Sequence, residues 1–233
     1  RIKVCFLAAD RETPKTLNEL LKLIHGEFMA LLNQSDELAP NALFENVLLL
    51  NHNSDADMIY SDEDSINRRG KRSNAIFKPD WSPDFFYSTN YTGHFAVYRK
   101  MLIENFVDSG FRFDGLESYE LVLRLIEQTD RIYHIPKVLY HSCKKVAAND
   151  LNKKVNQVAK IKSFSEHFKR QQIEVEVLPG LADNLLRVKR KLQSQPKVSI
   201  IIPTRDKAEM LETCLNSIRS KTTYPNYEII IVN

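Results

Sequence analysis

This chain of 233 residues predicts an α/β protein with a mixed, mostly parallel sheet flanked by helices, and three observations carry that prediction. Short apolar runs rich in β-branched residues alternate with amphipathic stretches of helical period, the order that produces strands joined by crossover helices. Twice a strand-like run ends in polar and acidic side chains, NQSDE at 33–37 and SDED at 61–64. Open α/β sheets bind their ligands at such carboxyl ends. The last stretch, 198–232, reads strand, helix, strand, which is a βαβ unit.

Residues 2–7 are a short apolar run and predict a buried strand; a helical pattern follows over 16–24, after Pro14. Residues 27–32 (EFMALL) predict the next strand. The segment 40–52 has apolar residues at Leu43, Val47, Leu48 and Leu50, with Asn41 near its start as a cap, and predicts a helix packed on the sheet. Residues 57–60 predict a strand that empties into SDED, and 67–92, rich in Arg, Asn, Pro and aromatics, predict a long irregular excursion. Strand resumes at 94–98, an amphipathic helix is expected over 119–128, and 132–140 reads as extended chain broken by Pro136. Residues 146–172 are polar and Lys-rich with weak helical period, and 173–195 hold short strand-like pieces around Pro179 and Gly180. The expected organisation is therefore a first part at 1–145, a connector at 146–195 and a βαβ unit at 196–233. That unit has a β-branched run at 198–202, the loop Pro203-Thr204-Arg205-Asp206, a helix over 208–219 and a strand at 227–232.

With 43% hydrophobic and 27% charged residues, the composition is that of a globular protein with a sizeable core. The 33 Lys and Arg are nearly balanced by 30 Asp and Glu, and the net charge of +3 gives no ground for a nucleic-acid partner. Cys5, Cys143 and Cys214 lack the paired spacing of a zinc site or a disulfide framework, which points to a reducing, cytoplasmic setting. No run approaches the roughly 18 apolar residues of a membrane helix. A longer protein containing this piece can still work at the inner face of a membrane.

At the C-terminal motif the sequence becomes recognisable. VSIIIPTRDKAEMLETCLNSIRSKTTYPNYEIIIVN resembles the opening nucleotide-binding unit of a family-2 glycosyltransferase, and GEFMALLNQSDEL resembles that family's strand leading into its acidic motif. The run DADMIYSDEDSI, FKPDWSPDFF, NYTGHFAVYRK and IYHIPKVLYH is similar to the subgroup found in large multi-domain enzymes that build O-antigen, rhamnan and other surface polysaccharides. The resemblance implies the A-type glycosyltransferase fold. Residues 1–145 would be the later part of one such domain and 196–233 the start of the next; alternatively, the terminal βαβ unit completes the first sheet in permuted order.

By that resemblance the partners are a nucleotide-diphosphate sugar, a glycan or lipid-linked acceptor, and neighbouring glycosyltransferase domains of the parent chain. An inverting transfer needs counter-charge for the departing diphosphate, commonly Mg²⁺ or Mn²⁺ on carboxylates, and a base for the acceptor hydroxyl. The resemblance places the metal at Ser35, Asp36 and His141. Where relatives carry Asp-x-Asp-Asp, this chain reads Asn33, Gln34, Ser35, Asp36, so the motif keeps one carboxylate and a weakened cation site is expected. The base falls among Glu117, Ser118 and Glu120, with Glu117 the better placed because a serine hydroxyl is a poor base. Thr204, Arg205, Asp206, Asn233 and Asn33 are expected at the nucleotide. Asp62, Glu63, Asp64, Trp81 and His94 are expected contacts to donor or acceptor. The acidic residues and Trp81 have plain structural alternatives: SDED paired to Arg68, Arg69, Lys71 and Arg72 in an exposed loop, Trp81 in core packing. A chain with these substitutions also fits a degenerate domain that binds nucleotide or glycan without catalysis.

Overall fold

The computed structural model describes residues 21–67, 69–108, 119–143, 150–182 and 185–233. The strand expected at 2–7, most of the helix at 16–24, and Glu117 and Ser118 lie outside the described residues. The chain divides into two units, 1–189 and 190–233.

In the first unit six strands form one sheet: β1 (Phe28–Ala30), β2 (Glu37–Leu38), β3 (Met58–Ile66), β4 (Arg72–Ile76), β5 (Ala96–Arg99) and β6 (Ile132–Cys143). Their order is β1-β5-β3-β6-β2, with β4 also paired to β3. β3 runs parallel to β6, whereas β1 with β5, β5 with β3, β3 with β4 and β2 with β6 are antiparallel. The β3–β6 ladder shifts register where Ser61 faces Ile135 and Asp62 faces Val138. Pro136 falls in that gap, where a residue with no N–H to donate does least harm.

Alternation along β3 feeds two cores. Met58 and Tyr60 point into one, with Phe86 of helix α2 (Pro83–Ser88) and Ile103 of helix α3 (Lys100–Asp108). The same cluster includes Leu121, Val122 and Leu125 of helix α4 (Tyr119–Ile126). Ile59 points into the other, with Val97, Ile135, Tyr140 and Ala42. This period-2 division is what a strand covered on both faces requires. Helix α5 (Asp150–Arg170) and the pair β7 (Val175–Pro179) and β8 (Leu186–Arg190) also contribute to the first core, through Phe164, Phe168 and Leu186. The polar stretch read as a connector thus supplies core side chains, and the boundary between units falls at 189/190.

Three sequence expectations are modified. Helix α1 (Ala42–His52) forms, but Leu43, Phe44, Val47 and Leu48 are exposed, and Ala42 and Asn46 are its buried residues. Asn41 makes no side-chain capping bond; its Nδ2 donates to Glu45 Oε1 at 3.2 Å instead. The irregular excursion at 67–92 contains β4 and α2.

The second unit consists of β9 (Val198–Pro203), helix α6 (Ala208–Lys221) and β10 (Tyr227–Val232). β9 and β10 pair in parallel from Val198 opposite Tyr227 to Pro203 opposite Val232. Among the described residues the two longest ladders, β3 with β6 and β9 with β10, are the parallel ones. The βαβ unit forms a two-stranded sheet of its own.

Candidate functional site

The SDED segment lies within β3 and not beyond its end, and all three carboxylates are buried. Each has a basic partner. Asp62 Oδ1 accepts from the Lys78 backbone N–H at 2.9 Å and lies 2.8 Å from His134 Nε2. Glu63 meets Lys78 Nζ at 3.0 Å and His94 Nδ1 at 3.1 Å. Asp64 meets Arg72 Nε and His141 Nδ1, both at 2.6 Å. Buried carboxylates persist only when paired in this way. Of the four basic residues expected to neutralise the segment, Arg72 does so, while Arg69 and Lys71 donate their backbone N–H groups to Asn67 in a turn and Arg68 is outside the described residues. The exposed-loop alternative is replaced by a buried strand whose neutralising partners come mostly from distant sequence.

Around Glu63 the packing is closest. Lys78 Nζ, buried, also donates to the Thr92 carbonyl at 2.9 Å, and the His94 backbone N–H donates to Glu63 Oε2 at 3.2 Å. Gly93, with φ +81°, lies directly over the pair. Burial by itself would push the Glu63 carboxyl up, but the His94 hydrogen bond and the charges of Lys78 and His94 outweigh it and draw it down to about 2. His94 is raised, chiefly by its hydrogen bond to Glu63 and against the opposing effect of burial. Burial pushes Lys78 down, with Glu63 and Asp62 opposing.

Asp36 comes from the loop between β1 and β2 and is half-buried. It accepts from Asn33 Nδ2 at 3.0 Å, from the Tyr140 hydroxyl, and from the Cys143 backbone N–H at 2.8 Å. Burial opposes ionisation, yet these three bonds hold its carboxyl below the usual range. Tyr140 in turn lies parallel to the rings of His94 and Phe95, with centroids at 6.0 and 5.8 Å. A patch is thus assembled from the β1–β2 loop, β3, the loop before β5, and β6.

The residues present do not make the cation set that the sequence resemblance implied. Both oxygens of Asp36 are occupied by protein donors, Ser35 is exposed in a turn, and His141 is committed to Asp64. Among the described residues no group of three or more His, Cys, Asp or Glu side chains is arranged to hold a metal ion.

The remaining expected positions lie on other elements. Glu120 sits in the first turn of α4. Trp81 is partly buried against the first core, 5.3 Å from the Phe86 ring and 6.2 Å from the Tyr91 ring. Thr204 donates its N–H to the Val232 carbonyl at 2.8 Å, Arg205 and Asp206 are exposed, and Asn233 follows β10. Asp206 takes a left-handed φ of 53°, a conformation that Asp tolerates better than most residues. Lys78, His134 and Tyr140 join the site through tertiary contacts rather than through a motif. Lys78 was detectable as a lone Lys opening Lys-Pro-Asp-Trp, whereas nothing local marks Tyr140 as the partner of Asp36.

The sequence model of glycosyl transferase family 2 matches residues 199–233. Over its whole length the chain is 34% identical to the O-antigen biosynthesis protein RfbC of Myxococcus xanthus, of which it spans 18%. It is also 34% identical to an uncharacterised protein of Sinorhizobium fredii, of which it spans 26%. The chain therefore corresponds to about a fifth and a quarter of these longer relatives, and none of the helices searched among its described residues is long and apolar enough to cross a membrane. Residues 199–233 are thus similar to glycosyl transferase family 2, and the chain as a whole is similar to a segment of a bacterial O-antigen biosynthesis protein.

Proposed function

We propose that the chain is a segment of a glycosyltransferase that moves a sugar from a nucleotide-diphosphate donor to a growing bacterial surface polysaccharide, with inversion at the anomeric carbon. The observation that carries this reading is the fixing of Asp36, between the first two strands, by Tyr140 and Cys143 of β6, beside His94. A carboxylate restrained by three donors at a strand end is a preorganised polar site rather than a solvated surface charge. The acceptor is a glycan or lipid-linked chain, and neighbouring domains of the parent protein complete the pathway. Thr204, Arg205, Asp206 and Asn233 serve a nucleotide in the domain that their own βαβ unit opens.

The described donor set does not suit a cation, since both oxygens of Asp36 and the His141 ring are engaged by protein groups. Chelation with EDTA is expected to leave nucleotide binding to this chain unchanged; a strict Mn²⁺ requirement would contradict that statement. One observation favours the second reading, a binding domain without turnover: the acidic motif retains only Asp36, and its oxygens are already engaged. Release of nucleoside diphosphate from a panel of uridine, guanosine and deoxythymidine diphosphate sugars separates the two. Turnover that is lost in Asp36→Ala supports the transferase, whereas binding with no turnover supports the second reading.

A further inference from the structure

We infer that His94, oriented by Glu63, is the group that takes the proton from the attacking hydroxyl; the inference rests on the transferase reading above. The imidazole is half-exposed, 52% by side chain, while Glu63 beneath it is 7% exposed and Lys78 only 2%. Glu63 engages His94 twice, Oε1 at Nδ1 and Oε2 at the backbone N–H. With a carboxylate at Nδ1, the neutral ring carries its proton on Nδ1 and presents the lone pair of Nε2 outward, the division of labour found wherever a buried acid orients a catalytic histidine. Lys78 keeps Glu63 ionised and in place, and the absence of a side chain at Gly93 lets the turn close over both.

The rest of the surroundings suit a proton acceptor near neutrality. Glu63 and Asp36 favour the imidazolium and Lys78 opposes it, and the Tyr140 ring lies parallel to the imidazole. Glu120, by contrast, lies in the first turn of α4. In the step itself the hydroxyl oxygen bonds to the anomeric carbon, the bond from that carbon to the diphosphate oxygen breaks, and the hydroxyl proton moves to His94 Nε2. The nucleoside diphosphate leaves with the bonding pair. Water can replace the acceptor, so hydrolysis of the donor reports the same proton transfer.

The test is steady-state hydrolysis of the panel of nucleotide-diphosphate sugars by the wild-type chain and His94→Gln, with nucleotide affinity measured in parallel by calorimetry. The expected result is a fall in kcat of about 10²-fold or more with the nucleotide Kd unchanged. In the wild-type chain kcat/KM should rise with pH through a single ionisation above the usual histidine value, and Glu63→Gln should move that limb to lower pH. A pH-independent wild-type profile overturns the proposal even where the variants fold poorly. Full hydrolysis in His94→Gln, with loss in Glu117→Gln, overturns it while leaving the transferase reading intact. If the wild-type chain neither binds nor hydrolyses any of these donors, the transferase reading fails and the role of His94 fails with it.

Discussion

A Cβ built on Gly93 would lie 2.2 Å from Glu63 Oε2 and 2.3 Å from Lys78 Nζ, on a backbone with φ +81°. Neither strain is relieved by a small movement, because both side chains are buried and bonded. Gly93→Ala is therefore expected to cost at least about 1–3 kcal/mol in urea unfolding, and a loss under about 0.5 kcal/mol would mean that the turn is not as tight as described. Lys78→Met leaves Glu63 buried with only the half-exposed His94, and the expected cost is larger, about 3–5 kcal/mol. The same residues give stability a two-sided pH dependence. The folded Glu63 carboxyl, at about 2, lies below its ordinary 4.5, so its contribution is present above pH 4.5 and lost as pH falls toward 2. Asp36 and Asp57 are lowered too and act in the same sense. His94 is raised above 6.5, so its contribution is complete below pH 6.5 and fades as pH rises through the folded value. Urea midpoints measured across pH should decline on both sides, and His94→Gln should remove the alkaline part.

At the scale of elements, helix α1 shows how far periodicity can be trusted. Its apolar residues come in nearly unbroken runs, Leu43-Phe44 and Val47-Leu48-Leu49-Leu50, so several faces qualified as the buried one. Packing placed the smallest residue, Ala42, against the sheet beside Ala39 and Ala56, and left Leu43, Phe44, Val47 and Leu48 exposed. Val47→Lys should consequently change stability by under about 0.5 kcal/mol, while Ala42→Leu should cost about 1–3 kcal/mol by overpacking; thermal melts of the two variants check both. The strands were more legible, since β1, β5, β6, β9 and β10 lie where apolar runs ended in polar clusters or turns. β3 was only half legible. Its apolar start, 58–60, reads as strand, but the five consecutive polar residues at 61–65 look like a loop unless their partners are known. Those partners, Lys78, His94, His134 and His141, are between 15 and 77 positions further along the chain than the carboxylates they meet, and a single sequence carries no record of the pairing. The site was legible to the same degree: Asp36, Glu63 and His94 were named from motif position, but the Tyr140 and Lys78 contacts that organise them are tertiary.

At the scale of the whole chain the two units differ in burial. The first has a core on each face of β3, whereas from residue 190 to 233 no residue is buried. A two-stranded parallel sheet with one helix cannot shield its own backbone bonds well. Hydrogen exchange should therefore give the amides of β9 and β10 much lower protection than those of β3 and β6, with the second unit opening at lower denaturant; equal protection would contradict the division.

The central claim, that the patch around Asp36 and His94 is part of a nucleotide-sugar site, is tested most directly by calorimetric titration of the chain with uridine, guanosine and deoxythymidine diphosphates. One of the three should bind, and Asp36→Ala, which frees Tyr140, Asn33 and the Cys143 N–H, should weaken that binding by about tenfold or more, equivalent to about 1.4 kcal/mol. Binding of none of them, or binding indifferent to Asp36→Ala, would contradict it.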